Sequence, residues 1–264
     1  MSCVHGDDCP KIVHEVDRGV HQVEICRPEQ KNALNLEMYS ALEAAFEAAA
    51  ADPQARALHL RGRGGAFTAG NDLRDFLEQP PEGEDSPVLR FLRRLVSFPL
   101  PLVAEVEGPA VGIGTTLLLH SDLVYAAEGA RFALPFVPLG LVPEAAATYL
   151  LPRLVGQARA SELLLLGRPF DAAAALSLGL VSGVYPAEQL RAEVDDRLNA
   201  LRALPPGAVR ATKALLRQSY AAPMAAALDA ELEIFVERLG SPEAREALSA
   251  FFEKRRPRFG DPSN

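Results

Sequence analysis

Between Phe132 and Pro152 the chain carries one charged side chain, Glu144, set between Pro143 and three alanines. A carboxyl in such surroundings has two readings. It can be an acid–base group whose proton affinity is raised by burial, by up to about 3–5 pKa units when burial is complete. It can also mark a helix start, with proline at the first helical position and an acid facing the positive end of the dipole. Two glycine-bearing turns supply the other reactive groups: residues 66–73 (AFTAGNDL) and 108–114 (GPAVGIG). Glycine permits backbone geometries that bring bare N–H groups against a ligand, and two such donors make an oxyanion hole. The alternative is that both are ordinary strand-to-helix connections. The chemistry on offer is proton transfer by one carboxyl and stabilisation of negative charge by main-chain amides.

The usual nucleophiles and phosphate cradles are missing. No G-x-S-x-G elbow, H-E-x-x-H pair or Walker lysine occurs. Gly62, Gly64, Gly65 and Gly70 do not complete a G-x-G-x-x-G fingerprint. His120, within an apolar helical run, reads as a hydrogen-bonded core histidine. Cys3, Cys9 and Cys26 are odd in number and do not describe a disulfide framework. Cys3, His5 and Cys9, with His14 and His21 downstream, lack the paired C-x-x-C spacing of a metal site, so none is expected.

A net charge of -8 argues against binding the nucleic-acid backbone. No segment approaches the roughly 18 uninterrupted apolar residues of a membrane span, and the start MSCVHGDDCP lacks the pattern of a secretory leader. The expected location is cytoplasmic, with no membrane partner.

The 264 residues fit one domain with an appended helical segment. Residues 12–16 and 20–26 read as a hairpin with Gly19 at the turn. Residues 36–51 carry Met38, Leu42, Ala45, Phe46 and Ala49 at helical spacing. Strands are expected at 57–60, 102–106, 123–126 and 181–185, and a helix from about Val88 to Ser97 after a proline-rich acidic loop at 80–87. GPAVGIG feeds a buried helix. Everything after about Pro186 is helical in pattern, with Leu228, Leu232, Phe235, Val236 and Leu239 forming a stripe that packs on the chain's own core or on a neighbouring subunit.

Together, five stretches resemble the crotonase (enoyl-CoA hydratase/isomerase) superfamily: residues 31–35 (KNALN), 65–73 (GAFTAGNDL), 106–114 (VEGPAVGIG) with Ser121-Asp122-Leu123, 174–181 (AALSLGLV) and 252–259 (FEKRRPRF). The resemblance covers nearly the whole chain, and the order and spacing of the pieces carry it. It implies an α/β fold, a spiral of repeated β-β-α units over residues 1–200. A C-terminal helical region, 201–264, would pack on the core or a neighbour in a homotrimer or a dimer of trimers.

The same resemblance implies an acyl-CoA substrate and no separate cofactor, coenzyme A being part of the substrate. The main-chain N–H groups of Asn71 and Ile113 would hold a thioester enolate, and Ala33, Ala69, Asp72, Leu73, Gly114, Phe136 and Leu139 would line the binding groove. Lys254, Arg255, Arg256 and Arg258 are candidates for the CoA phosphates; their bland reading is a solvated basic tail. The two glutamates used by the family's hydratases align with Thr116 and Phe136, neither of which can move a proton. Glu144, eight residues past Phe136, is similar in placement to the glutamate of the monofunctional Δ3,Δ2-enoyl-CoA isomerase branch. The expected activity moves a 3-enoyl-CoA double bond to the 2-trans position in fatty-acid or related acyl-CoA breakdown. The rivals are a hydratase or other thioester reaction, and a catalytically silent acyl-CoA-binding subunit.

Overall fold

The computed structural model describes residues 10–78 and 85–260. Cys3, His5, Cys9 and most of the acidic 80–87 loop lie outside them. The chain opens with a hairpin of β1 (Ile12–Asp17) and β2 (Val20–Ile25). Its two-residue turn places Arg18 at φ 46° and Gly19 at φ 79°, the doubly left-handed geometry that matches the twist of paired strands. Helix α1 (Leu36–Ala51) starts where the Asn35 side chain accepts the Met38 N–H at 2.9 Å. It buries Met38, Tyr39, Leu42, Ala45, Phe46 and Ala49 as one stripe.

Strands β3 (Ala57–Gly62), β4 (Leu102–Val106), β6 (Leu123–Ala127) and β9 (Gly183–Tyr185) continue the sheet in the order β1-β2-β3-β4-β6-β9. Every pairing from β2 onward is parallel, with β1 the antiparallel edge. A second, smaller sheet stacks β5 (Pro109–Val111), β7 (Arg131–Ala133) and β8 (Phe170–Asp171), a layer absent from the sequence expectation. Helices α2 (Leu73–Glu78) and α3 (Pro87–Val96) lie between β3 and β4. The chain after β5 forms α4 (Ile113–Thr116), which tightens into a 3-10 turn through His120. Helices α5 (Ala147–Val155), α6 (Gln157–Leu166) and α7 (Ala172–Ser177) precede β9, and α8 (Ala187–Ala203), α9 (Pro206–Gln218), α10 (Ala221–Leu239) and α11 (Pro242–Phe252) complete the chain.

Because successive strand residues point to opposite faces, the sheet feeds two cores. Leu58, Leu60, Leu102 and Ala104 join α1, α3 and α10 in the larger one. Val20, Ala57, Val103 and Tyr125 meet Leu190, Val194 and Leu198 of α8 in the smaller. The C-terminal stripe is spent inside the chain: Leu228, Leu232, Phe235 and Leu239 belong to the larger core. Val236 departs from the expectation and is exposed, since one residue past Phe235 is a rotation of about 100° off the stripe.

Candidate active site

The two glycine turns are laced to each other and to the loop before α1. Thr68 N–H donates to the Pro109 carbonyl and Val111 N–H to the Thr68 carbonyl, both at 3.0 Å, so the first turn borders β5. Leu34 N–H reaches the Gly70 carbonyl and Asp72 N–H the Leu34 carbonyl, both at 2.8 Å. That parallel bridge uses the groups of residues 70 and 72, so the Asn71 N–H points away from it. Ile113 opens α4, where the first N–H groups have no partner within the helix. Among the described residues neither the Asn71 nor the Ile113 N–H donates to another protein group. Gly70 is required here: its φ is +95°, and a Cβ would sit 2.8 Å from the Val111 carbonyl oxygen.

The KNALN segment is the clasp. Asn32, fully buried at φ 59°, accepts the Arg27 N–H at 2.7 Å and donates to the carbonyls of Arg63 (2.9 Å) and Ala66 (2.6 Å). One side chain thus ties the loop after β2 to the loop after β3. The motif signalled it, but only the fold shows that the asparagine serves three backbone partners.

These turns open on a cavity of about 860 Å³. Its wall carries Ala33, Ala69, Asp72, Leu73, Phe136 and Leu139, all expected to line the groove, and Asn71, expected as an oxyanion donor. Ile113, Gly114 and Glu144 are buried and do not line it; the second turn reaches the cavity through half-buried Val111 and Gly112, and Glu144 adjoins the wall through Asn71. Phe235, Phe251 and Phe252 add an apolar end from α10 and α11 that sequence reasoning missed. Of the four candidate cations Lys254 reaches the cavity, whereas Arg255 is held by Glu246 at 2.9 Å and by Glu253. Arg27, not foreseen, lines the cavity too and pairs with Asp72 at 2.7 Å. Asp72 therefore shapes the wall with its carboxylate already committed.

Glu144 is 1% exposed and does not begin a helix. Ala145 and Ala146 follow it in left-handed geometry, at φ 58° and 55°, and α5 starts only at Ala147. The helix-start reading of Pro143-Glu144 is thus replaced by a strained turn that aims the carboxyl inward. His120 supports the turn, its Nε2 lying 2.7 Å from the Ala145 carbonyl oxygen. Burial pushes the imidazole down to about 4, so it is neutral at pH 7 and donates Nε2–H, the packed core role expected of it.

Burial first, and then the nearby Glu231 charge, push the Glu144 carboxyl up to about 8, opposed by the Asn71 carboxamide beside it. The Tyr39 hydroxyl, from α1, donates to Asn71 Oδ1. That contact leaves the Asn71 amide group to turn toward Glu144. Glu144 Oε1 is buried without a hydrogen-bond partner. Thr116 is fully buried and Phe136 forms apolar wall, so the site's surroundings carry no acid at either position. Tyr39 and Glu231 gave no signal in the sequence, because each lies on a helix stripe indistinguishable from core.

A buried carboxyl raised to about 8 beside Asn71 of the cavity wall, with the Asn71 and Ile113 N–H groups unpaired among the described residues, is chemically suited to proton transfer on a substrate that develops anionic oxygen. The chain matches the family model described as enoyl-CoA hydratase/isomerase over residues 15–262, and it belongs to that family, the crotonase superfamily. Enoyl-CoA delta isomerase 2 of Homo sapiens is 36% identical over 251 residues, covering 92% of this chain. The chain spans 64% of that relative's length. A probable enoyl-CoA hydratase of Rhodobacter capsulatus is 36% identical over 94% of this chain and 97% of its own. Among solved structures, an enoyl-CoA hydratase/isomerase from Pseudoalteromonas atlantica T6c superimposes with a TM-score of 0.91 at 44% identity, covering 95% of this chain and all of the other.

Proposed function

We propose that the chain is a Δ3,Δ2-enoyl-CoA isomerase in which Glu144 shuttles one proton. The observation that supports this reading is the buried Glu144 carboxyl beside Asn71 of the cavity wall, with threonine and phenylalanine at the positions that align with the two acids of the family's hydratases. In a 3-enoyl thioester the C2 proton is acidified by the carbonyl and by the double bond. Ionised Glu144 removes it, the Asn71 and Ile113 N–H groups take the enolate oxygen, and the same carboxyl returns the proton at C4. The double bond moves from C3–C4 to C2–C3, no water is consumed, and the base is regenerated. Phe136 favours this course because a dry wall disfavours a positioned water.

Coenzyme A is part of the substrate, and Lys254 and Arg27, both lining the cavity, are the cations proposed for its phosphates. A homotrimer or a pair of trimers is part of the same proposal, with exposed Leu165, Leu166, Leu215 and Leu216 as apolar surface for subunits to cover. Sedimentation analysis tests that assembly, and a monomer would remove it.

The deciding assay compares 3-cis-, 3-trans- and 2-trans-enoyl-CoA. The 3-enoyl forms should yield the 2-trans product, and Glu144→Gln should lose about 10²- to 10⁴-fold in kcat/KM. Conversion of 2-trans-enoyl-CoA to the hydroxyacyl thioester, or near-normal activity of the glutamine variant, would replace this reading.

A further inference from the structure

The left-handed pair Ala145-Ala146, at φ 58° and 55°, is unfavourable for L-amino acids, so something must hold it in place. His120 fixes one side. The other is fixed from a helix 83 residues downstream. Glu231 of α10 accepts the Thr148 main-chain N–H at 2.8 Å and the Thr148 hydroxyl through the same Oε1, with the Ala146 and Ala147 amides close enough to favour its charge. It is the capping acid of α5, the part that Pro143-Glu144 does not play.

A cap needs only an acceptor, and serine, asparagine or glutamine would supply one. Glu231 brings more. It is 5% exposed, its Oε2 is buried with no partner, and Glu144 Oε1 is buried with no partner as well. The groups around the two carboxyls are neutral: Tyr39 from α1, Asn71 after β3, and Thr148 with the α5 amides. The charged side chains on the packed elements point elsewhere. Arg93 of α3 pairs with Asp229 at 3.8 Å, Arg238 of α10 with Glu243 of α11, and Arg153 of α5 lies over the Tyr149 ring at 3.4 Å. Among the described residues no cation pairs with either glutamate.

We propose that Glu231 is a positioning residue for the base: it holds the turn that presents Glu144, and the two buried carboxyls ionise as a coupled pair rather than as separate acids. The inference rests on Glu144 being the proton-transfer group. Burial pushes Glu231 up to about 7, so the pair gives up its protons close to neutrality, and the first ionisation opposes the second.

Glu231→Gln keeps the Oε1 acceptor and the volume while removing the charge. It should fold as the wild type does and shift the rising limb of the kcat/KM–pH profile down by about one unit, roughly tenfold in the ionised fraction at a pH below the limb. The same shift should appear without turnover, in the infrared band of the protonated Glu144 carboxyl, assigned by its loss in Glu144→Gln. Glu231 titrates first, against a neutral Glu144, so the repulsion falls on Glu144 and the remaining Glu231 band should move little in Glu144→Gln. A Glu144 band that titrates unchanged in folded Glu231→Gln overturns the proposal. If that band moves but wild-type protein does not isomerise 3-enoyl-CoA, the coupling stands and the assigned reaction falls.

Discussion

At the scale of the residue, the proposed reaction depends on how the buried Glu144 carboxyl beside Asn71 is kept neutral. Its carboxyl, at about 8, must lose its proton before it can act as a base, so the ionised fraction grows as pH rises through that value. The predicted kcat/KM therefore climbs with a midpoint near 8; a midpoint close to 4.5, the ordinary carboxyl range, would show that the group is solvated in the free enzyme. Tyr39 sets the side of Asn71 that faces Glu144 by donating to its oxygen. Tyr39→Phe frees the carboxamide, weakening the one neighbour that favours the charged carboxyl. Its kcat/KM should fall by up to about tenfold, the scale of one hydrogen bond, with the pH midpoint moved upward. An unchanged profile would show that Asn71 is held by other contacts. Residue type made Glu144 legible in the sequence, since a lone charge in twenty apolar positions is conspicuous. Tyr39 and Glu231 were not legible, because a side chain that works from a helix stripe looks like any other core position until its partner, 32 or 83 residues distant, is in place.

At the scale of the element, position follows from how turns are locked to one another. The amphipathic pattern of 36–51 predicts α1 to the residue, and in the fold the Asn35 cap and the buried stripe set those same boundaries. The small β5-β7-β8 sheet was not legible: strands of two or three residues carry no period, and they exist because the glycine turns hold the chain beside them. The same logic makes Gly70 a point of failure. Gly70→Ala forces a side chain into φ +95° and against the Val111 carbonyl, a strain of about 1–3 kcal/mol. Thermal melting should register the loss, and activity should fall further than stability because the displaced atoms adjoin Asn71. A variant with normal melting and normal turnover would show that the two turns tolerate separation.

At the scale of the whole molecule, buried titratable groups divide the pH axis into two windows. His120 titrates at about 4 in the folded state against 6.5 unfolded, so its contribution to stability is lost as pH falls through that interval. Glu144 has the opposite sign: raised from 4.5 to about 8, its contribution is full below 4.5 and lost as pH rises through 8. Glu144→Gln cannot ionise, so denaturant titrations should show the variant gaining on wild type by on the order of 1–3 kcal/mol between pH 5 and pH 8. A difference that stays flat over that range would mean that the carboxyl ionises with little penalty where it stands. The cavity is itself a product of distant parts, with Arg27 and Ala33 from the start of the chain, Asn71 from its first third, and Phe251, Phe252 and Lys254 from its end. The main-chain N–H of Asn71, on the cavity wall and unclaimed by other protein atoms among the described residues, has a further consequence: its hydrogen is open to isotope exchange. Saturation with an acyl-CoA thioester should slow deuterium uptake at that amide, leaving α8 on the far face of the sheet unchanged, so that exchange mass spectrometry reads occupancy of the site without any reaction taking place.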